Sequence, residues 1–268
     1  MSNTDVWRDW MTLLVNLGEE QNPRGYKCFA LYDRQLKFDP NRPLIIDNNR
    51  KLSFKFAFAE AFWILAGDDK VETIAPYNKN IAQFSDDGVT YFGAYGPKIM
   101  AQLPYVINNL NRDPHSRQAV ITIWREYPRP SKDIPCTVMV QFRVSPDGGK
   151  LYSHVVMRSS DVWLGLPYDV FNFSMLMHVV SQQLADRPKP TELTYTLMNG
   201  HIYERNIEAA VELLQKNLAA EWRPSDMDQP EVRFNGVQDI MQKLQEARDA
   251  DSPLQHWLQA MARAQVVQ

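Results

Sequence analysis

The sequence has few cysteines and nothing that would direct it to a membrane or a nucleic acid. It contains two cysteines in 268 residues, too few for a disulfide framework or a cysteine-rich zinc site. No apolar run is long enough to span a bilayer, and the first residues lack the basic-then-apolar layout of a signal peptide. A net charge of −3 with scattered basic residues gives no reason to expect nonspecific phosphate binding. We therefore expect a cytoplasmic protein with no membrane or direct nucleic-acid partner.

The composition is that of a soluble globular enzyme. Apolar residues make up 44% of the chain and charged residues 23%, which are ordinary values for a protein that buries a substantial core. No internal repeat, low-complexity tract or Gly/Ser linker interrupts the sequence. A single domain over residues 1–268 is therefore expected, with any conspicuous cysteine as a candidate nucleophile.

Apolar periodicity predicts a mixture of helices and strands. Helical spacing covers residues 4–18, 52–66, 99–110, 167–184 and 206–219, and further helices are predicted near 236–248 and 253–264. Alternation and turn signals predict strands at 117–124, 136–144, 150–157 and 193–198, and two short strands, 28–32 and 35–38, around an Asp33–Arg34 turn. This pattern indicates the α+β class.

The stretch from Met157 to Asp169 concentrates polar residues within apolar surroundings. It carries an arginine, two serines and two aspartates and runs directly into a strongly apolar helix. Unpaired buried charge is costly, so this composition indicates a binding site. Asp169 also fits the N-cap position of the following helix, which is its structural alternative.

Three further residues are candidates for chemistry. Glu60 lies among phenylalanines and a tryptophan in the predicted 52–66 helix, where burial would raise its pKa toward neutrality; the alternative is a structural salt bridge to an arginine. Cys136 opens a strand after a loop, where a thiol is accessible enough to react, although many such cysteines are structural. Tyr95 is followed by a glycine in a loop-rich segment, and it either points at a ligand or packs on a turn.

Four motifs in order make the chain resemble the thymidylate synthase superfamily over roughly residues 20–215. They are AEAFWILAGD, SRQAVITIWREYPRPSKDIPCTVMVQF, RSSDVWLGLPYD and NGHIYERN. They are similar to the family's catalytic-glutamate helix, its arginine-bearing strand with the Pro-Cys nucleophile, its nucleotide-and-folate signature and its His-x-Tyr sugar motif. The resemblance implies a mixed twisted β-sheet covered by helices, one sheet face used for dimerisation, and a divergent C-terminal helical tail at 222–268.

The resemblance also implies roles for individual residues. Cys136 would add to pyrimidine carbon 6, Glu60 would organise water and relay protons, and Tyr95 would assist proton movement at carbon 5. The nucleotide would be bound by Arg24, Arg158, Ser159, Asp169, His201, Tyr203 and Gln141, with Arg117 supplied by the second subunit of a homodimer. Arg158 would also lower the pKa of the thiol. The co-substrate 5,10-methylenetetrahydrofolate would contact Asp161, Leu164, Gly165 and Glu60, and no metal is implied.

Departures from the family pattern change the expected reaction. Asp169 stands where thymidylate synthases have asparagine, and the deoxycytidylate hydroxymethylases of phages, which resemble this chain, carry aspartate there. A carboxyl group accepts a hydrogen bond from the cytosine amino group, which costs about 1–3 kcal/mol if left unpaired when buried. The family's usual tryptophan is missing from residues 80–84. Thr137 and Gln118 depart as well, and they affect the phosphate and folate contacts.

These observations favour a cytidylate 5-hydroxymethylase that uses methylenetetrahydrofolate and water. Ser159 fits a deoxynucleotide substrate, dCMP. The alternatives are CMP hydroxymethylation in nucleoside-antibiotic synthesis, reductive methylation of dCMP or dUMP, and a catalytically inactive binding subunit. The concurrence of Cys136, Glu60 and Arg158 argues against the last. The gene could belong to a phage or to a bacterium.

Overall fold

A computed structural model describes residues 1–125, 130–219 and 229–266. The helices are α1 Asn3–Leu17, α2 Phe54–Leu65, α3 Val71–Ile74, α4 Tyr95–Arg112, α5 Leu166–Gln183, α6 Glu204–Ala219, α7 Val237–Asp249 and α8 Pro253–Val266. The strands are β1 Glu19–Gln21, β2 Cys28–Phe38, β3 Val120–Thr122, β4 Thr137–Val144, β5 Lys150–Met157, β6 Ser160–Asp161 and β7 Lys189–Tyr203. Short 3-10 helices cover Pro23–Gly25 and Lys79–Phe84.

The described strands form one mixed sheet with β7 as its longest member. The order is β1-β2-β7-β5-β4-β3, and β6 pairs with β7 beyond the end of β5. Strands β5 and β6 run parallel to β7, whereas β2 is antiparallel to it. Met157 pairs with Leu197 and Ser160 with Gly200, so the chain stays in one register along β7 across Arg158 and Ser159. The predicted α+β class, with a mixed sheet covered by helices, is confirmed.

One face of the sheet forms the floor of the core. Val140, Phe142, Val155 and Tyr195 are fully buried and alternate with partly exposed residues on the opposite face, as the period-two geometry of strands requires. That opposite face includes a hydrogen bond between His154 and Thr196, 2.8 Å. The helices therefore cover one side of the sheet and leave the other side partly accessible.

The C-terminal helices contribute to the same core. Trp257 of α8 is 1% exposed and stacks on Phe58 of α2, with ring centroids 5.0 Å apart. It also meets Phe171 of α5 edge-on at 5.5 Å. Helix α8 thus packs against the two helices that bear Glu60 and Asp169.

Four local predictions were wrong. Residues 28–38 form one strand, because Asp33 takes a left-handed φ of 54° while both halves keep the same pairing with β7. The strand predicted at 117–124 is limited to Val120–Thr122. Helix α4 begins at Tyr95, earlier than predicted. Asp169 is not an N-cap, because Gly165 occupies that position and Asp169 lies within the first turns.

The remaining predicted elements lie close to their expected positions. The hairpin of β4 and β5 is confirmed, with its turn at residues 145–149. Two parts of the predicted C-terminal tail, residues 222–228 and 267–268, lie outside the described residues. No helix among the described residues is both long and apolar enough to cross a membrane.

Protonation of His178 should destabilise the fold at low pH. Its Nε2–H donates to the Pro40 carbonyl at 3.0 Å, and burial lowers its pKa from 6.5 to about 4. The unfolded chain therefore gains a proton that the folded chain excludes as pH falls from about 6.5 toward 4, and stability is lost in that window. Between pH 7.5 and 5, the wild type should lose about 2 kcal/mol more free energy of unfolding than His178→Gln.

Urea unfolding at the two pH values measures this difference. The exposed His115 supplies a control, since His115→Gln should keep the wild-type pH dependence. Equal losses in the wild type and His178→Gln would contradict the assignment.

Candidate active site

The predicted site residues converge where β5 passes into β6 beside the end of β7. The unbroken register places Asp161 opposite His201. Arg158 links this edge to the segment before β4, because its backbone N–H donates to the Cys136 carbonyl at 3.0 Å. Helix α5, which follows directly, carries Asp169 and Asn172 toward α2 and Glu60. One strand edge and one helix start therefore assemble most of the set.

The Arg158 side chain holds the segment that precedes the cysteine. Its Nε donates to the Pro135 carbonyl at 2.9 Å and its Nη2 to the Ile134 carbonyl at 3.0 Å. The guanidinium also lies 5.3 Å from the ring centre of Trp124. Two of its five N–H groups are used in this way, and the others can bind an anion.

The Cys136 thiol is half-buried and surrounded by charges of both signs. Burial is the main effect and raises its pKa above 9.0. Arg158 and Arg24 lower the pKa, while Asp169 and Asp133 raise it. The expectation that Arg158 favours the thiolate thus has the correct sign, but the cost of burying the charge is larger.

Tyr95 lies next to the residue that follows the cysteine. Its hydroxyl accepts hydrogen bonds from the Thr137 backbone N–H at 3.2 Å and from the Thr137 hydroxyl at 3.1 Å. Burial, with smaller contributions from Cys136 and Asp169, raises the pKa of the phenol well above 10.0. Tyr95 is therefore a neutral hydroxyl near the thiol, able to pass a proton on.

Glu60 pairs with an amide and not with an arginine. Its Oε2 accepts a hydrogen bond from Asn172 Nδ2 at 2.8 Å, and no ion pair to it occurs among the described residues. Burial raises its pKa to about 7, although the amide hydrogen bond opposes the shift. The salt-bridge alternative thus finds no arginine partner among the described residues, and Glu60 can exchange a proton near neutral pH.

Asp169 is a second buried carboxyl close to the first. Its pKa is raised well above 3.8, mainly by burial and then by the neighbouring Glu60 and Asp161. Within the described part of the chain its side chain makes no hydrogen bond, while its backbone carbonyl accepts one from Tyr195 Oη at 2.8 Å. The backbone is thus fixed and the carboxyl is available to a ligand.

The residues expected to contact the sugar lie along the end of β7. His201 is buried and meets Tyr203 edge-on, with ring centroids 5.2 Å apart. Burial lowers the pKa of His201, and Asp161 opposes this. A neutral imidazole beside a phenol offers hydrogen bonds to an uncharged hydroxyl.

The remaining expected phosphate ligands differ in their placement. Ser159 is half-buried beside Arg158, and Arg24 is exposed on the 3-10 turn with a φ of 55°. Arg117 is exposed, and its carbonyl accepts a hydrogen bond from the Gln141 amide at 2.9 Å. Among the described residues of one chain, no hydrogen bond or ion pair links Arg117 or Gln141 to the cluster around Cys136.

The segment expected to contact folate is a turn with an apolar, accessible tip. Asp161 Oδ1 accepts from the backbone N–H groups of Trp163 at 3.0 Å and Leu164 at 2.8 Å. Leu164 is 41% exposed, and Arg50 lies over the Trp163 ring at 4.3 Å. Asp161 therefore shapes the turn, which presents the exposed Leu164 side chain, whereas Trp163 is buried.

Sequence reasoning missed two residues and misjudged a third. Asn172 lies three residues after Asp169, a spacing that puts both on one helix face and could have flagged it. Asp133 shows no sequence signal other than its position shortly before Cys136. Thr137, treated as a departure, makes the two hydrogen bonds to Tyr95. In the described ranges, no group of three or more His, Cys, Asp or Glu residues could hold a metal ion.

Known proteins that are similar in sequence to this chain indicate its family. The chain is 29% identical over 202 residues to a deoxyuridylate hydroxymethyltransferase of Bacillus phage SP01, an alignment that covers 68% of this chain and 52% of that protein. The chain thus spans about half the length of this curated relative. The profile of the family described as "Thymidylate synthase" matches residues 5–246, beyond the 20–215 core expected from motifs. A match over so much of the chain, with the expected fold, shows that this protein belongs to the thymidylate synthase family.

Proposed function

We propose that the protein transfers a hydroxymethyl group to carbon 5 of a cytosine nucleotide, with dCMP as the favoured substrate. The observation that carries the proposal is the buried carboxyl of Asp169, which is close enough to Glu60 and Cys136 to interact with both. Two findings support the class of reaction: membership of the thymidylate synthase family, and similarity to a hydroxymethyltransferase of Bacillus phage SP01.

The nucleotide phosphate would bind where arginines meet the end of β5. Arg158 has unused N–H groups, Ser159 adjoins it, and Arg24 is near enough to affect the Cys136 pKa. Several arginines around a dianion give charge-assisted hydrogen bonds. Arg117, which lies apart from this cluster, would come from the second subunit of a homodimer packed through the partly exposed sheet face. His201 and Tyr203 would bind the sugar 3′-hydroxyl.

Cys136 would act as the nucleophile. Its thiolate adds to carbon 6 of the pyrimidine, which makes carbon 5 nucleophilic. Burial opposes ionisation of the free thiol, so a neighbouring base must accept the thiol proton before or as the sulfur adds to carbon 6. Arg158 stabilises the thiolate once it forms.

Glu60 and Tyr95 would move protons around carbon 5. The neutral Tyr95 hydroxyl lies beside Thr137 and assists removal of the carbon-5 proton. Glu60, with a pKa of about 7, can hold a water and accept its proton as that water adds to the exocyclic carbon. Groups that titrate near the working pH are best suited to such transfers.

The folate co-substrate fits the turn at Asp161–Gly165. Leu164 offers exposed apolar surface for a flat ring, while Asp161 and Glu60 offer polar contacts nearby. When bound, methylenetetrahydrofolate would supply the one-carbon unit and leave as tetrahydrofolate; water would then add to the exocyclic methylene, and elimination of the Cys136 thiolate would release the 5-hydroxymethyl nucleotide. The 3-10 helix Lys79–Phe84 contains no tryptophan, and an unshielded site favours quenching by water over reduction.

Asp169 would select the base. In its protonated form a carboxyl group has one donor and one acceptor, which match N3 and the N4 amino group of cytosine. Burial raises the pKa of Asp169 well above 3.8, which favours that form. Ser159 supports a deoxynucleotide over CMP.

A second candidate is the same reaction on dUMP. The similar protein of Bacillus phage SP01 is a deoxyuridylate hydroxymethyltransferase, which favours dUMP. A protonated carboxyl group can also donate a hydrogen bond to O4 of uracil. Assays with dCMP, dUMP and CMP separate these candidates. Formation of dihydrofolate with any of them would instead indicate reductive methylation and contradict hydroxymethylation.

Removing the nucleophile should abolish exchange at carbon 5. Tritium release from 5-labelled dCMP should fall to background in Cys136→Ala, because carbon 5 is activated only after addition at carbon 6. Cys28→Ala is the matched control, since Cys28 is 1% exposed and should leave release intact. Persistent release in Cys136→Ala would disprove the assigned role.

Changing the base-reading residue should change the substrate. Asp169→Asn should shift the ratio of kcat/KM for dCMP and dUMP toward dUMP by about tenfold or more, because one mismatched buried polar group costs about 1–3 kcal/mol. Asp186→Asn, at an exposed position, should keep the wild-type ratio. An unchanged ratio in Asp169→Asn would defeat the selection argument.

The activity should depend on ionisation of Glu60. As an acceptor of the water proton it must be ionised, so kcat should fall as pH drops below about 7. Glu60→Gln should lower kcat by about 10²–10⁴-fold and remove this inflection from the pH profile. Glu72→Gln, on the exposed side of α3, should retain it; an inflection that survives in Glu60→Gln belongs to another group.

A further inference from the structure

Two chain segments that meet at the thiol are joined at both ends. At one end, the Gly93 backbone N–H donates to Asp133 Oδ2 at 2.7 Å. At the other, the Thr137 N–H and hydroxyl donate to Tyr95 Oη. Cys136 lies between the two connections. The segment before β4 and the segment that begins α4 are thus fixed relative to each other around the nucleophile.

The Gly93–Asp133 contact is close enough to require glycine. A Cβ at position 93 would lie 2.6 Å from the Asp133 carbonyl oxygen and 2.8 Å from its carboxylate. Both distances are shorter than real Cβ contacts allow, so any other residue would push the two segments apart. The backbone approach and the hydrogen bond therefore depend on one another.

Asp133 is itself held on its other sides. Its N–H donates to Ser131 Oγ at 3.0 Å, and Ser131 Oγ in turn donates to Asp86 at 2.6 Å. The carbonyls of the next two residues, Ile134 and Pro135, accept from the Arg158 guanidinium. The hydrogen bond from the Gly93 N–H to the Asp133 carboxylate thus links residues 133–135 to the segment that leads into Tyr95.

We propose that Asp133 is a positioning residue whose hydrogen bond to Gly93 sets the placement of Cys136 against Tyr95. The relative geometry of a nucleophile and the group that moves its proton affects rate strongly, and a displacement of about 1 Å can cost about a hundredfold. Asp133 touches no reacting atom, and it acts through the backbone that it fixes.

The carboxylate of Asp133 also acts on the thiol through its charge. The charged and titratable groups that face Cys136 are Arg158 beyond β5, Arg24 on the 3-10 turn, Asp169 on α5, Tyr95 on α4 and Asp133 itself. Asp133 raises the pKa of Cys136, and Lys98 and Asp86 act on Asp133 in opposite directions. Hydrogen bond and charge can therefore be separated by choice of substitution.

Three variants make that separation. Asp133→Asn removes the charge but keeps an acceptor for the Gly93 N–H. Asp133→Ala removes both. Gly93→Ala breaks the contact by steric conflict and leaves Asp133 unchanged, which covers the case in which Asp133→Ala does not fold. Gly149→Ala is the matched control, because the Gly149 N–H also donates to an aspartate, Asp147, yet its Cβ would meet nothing closer than 3.7 Å.

The measurements are kcat and KM with dCMP and the pH profile of Cys136 alkylation by iodoacetamide. Asp133→Ala and Gly93→Ala should lower kcat by about ten- to a hundredfold with little change in KM. Asp133→Asn should keep kcat within about threefold of wild type while its alkylation profile moves to lower pH. Wild-type kcat in both Asp133→Ala and Gly93→Ala would overturn the proposal, and so would equal losses in Asp133→Asn and Asp133→Ala.

The kinetic arm rests on the proposed function, but the alkylation arm does not. If Cys136→Ala retained activity, the proposed nucleophile would be wrong, yet the alkylation profile of Asp133→Asn would still report on Asp133. An Asp133→Asn profile identical to wild type, in a protein whose Cys136→Ala variant is inactive, would count against Asp133 alone.

Discussion

The pairing along β7 is the constraint on which the site depends. This strand bonds to β2 on one side and, on the other, to β5 and then β6, with one register from Tyr152 to Asp161. Arg158 and Ser159 lie between β5 and β6, where the backbone does not pair with β7. A shift of one residue would turn every side chain to the opposite face and would separate Asp161 from His201.

Burial then governs the electrostatics of what the strands bring together. Glu60, Asp169 and Cys136 all have pKa values raised chiefly by burial. The free site therefore favours neutral acids around the thiol, and the arginines lie toward its edge. Neutral groups at the centre can donate as well as accept protons, whereas charged groups at the edge attract an anion. Individual hydrogen bonds, such as the one from Asn172 to Glu60, shift the balance between the neutral and the ionised form of an acid.

Local signals predicted those parts of the fold that local interactions decide. The β4–β5 hairpin follows from strand alternation and its Pro-Asp-Gly-Gly turn, and helix α2 follows from its apolar run. Residues 28–38 were read as two strands because Asp33 resembles a turn locally, while distant pairing with β7 makes one strand. Asp169 resembled an N-cap because it follows a proline closely, but the chain enters the helix earlier, at Gly165.

The site shows the same division. Ordered motifs pointed to Cys136, Glu60 and Arg158, and burial of Glu60 could be expected from its neighbours. Its partner could not, because Asn172 is 112 residues away in sequence and meets it only after α2 and α5 pack. The net rise in the thiol pKa likewise depends on how closely the folded chain encloses Cys136, which no motif encodes.

The stacking of Trp257 on Phe58 and Phe171 has a consequence for synthesis of the protein. Those two rings belong to the helices that bear the buried carboxyls, and their outer surface stays uncovered until α8 has left the ribosome. The strands and central helices can pair earlier, but the carboxyl groups acquire their dry surroundings only once α8 has emerged. A nascent chain that lacks α8 would therefore hold the right residues in a wetter environment, with Glu60 ionised at a lower pH.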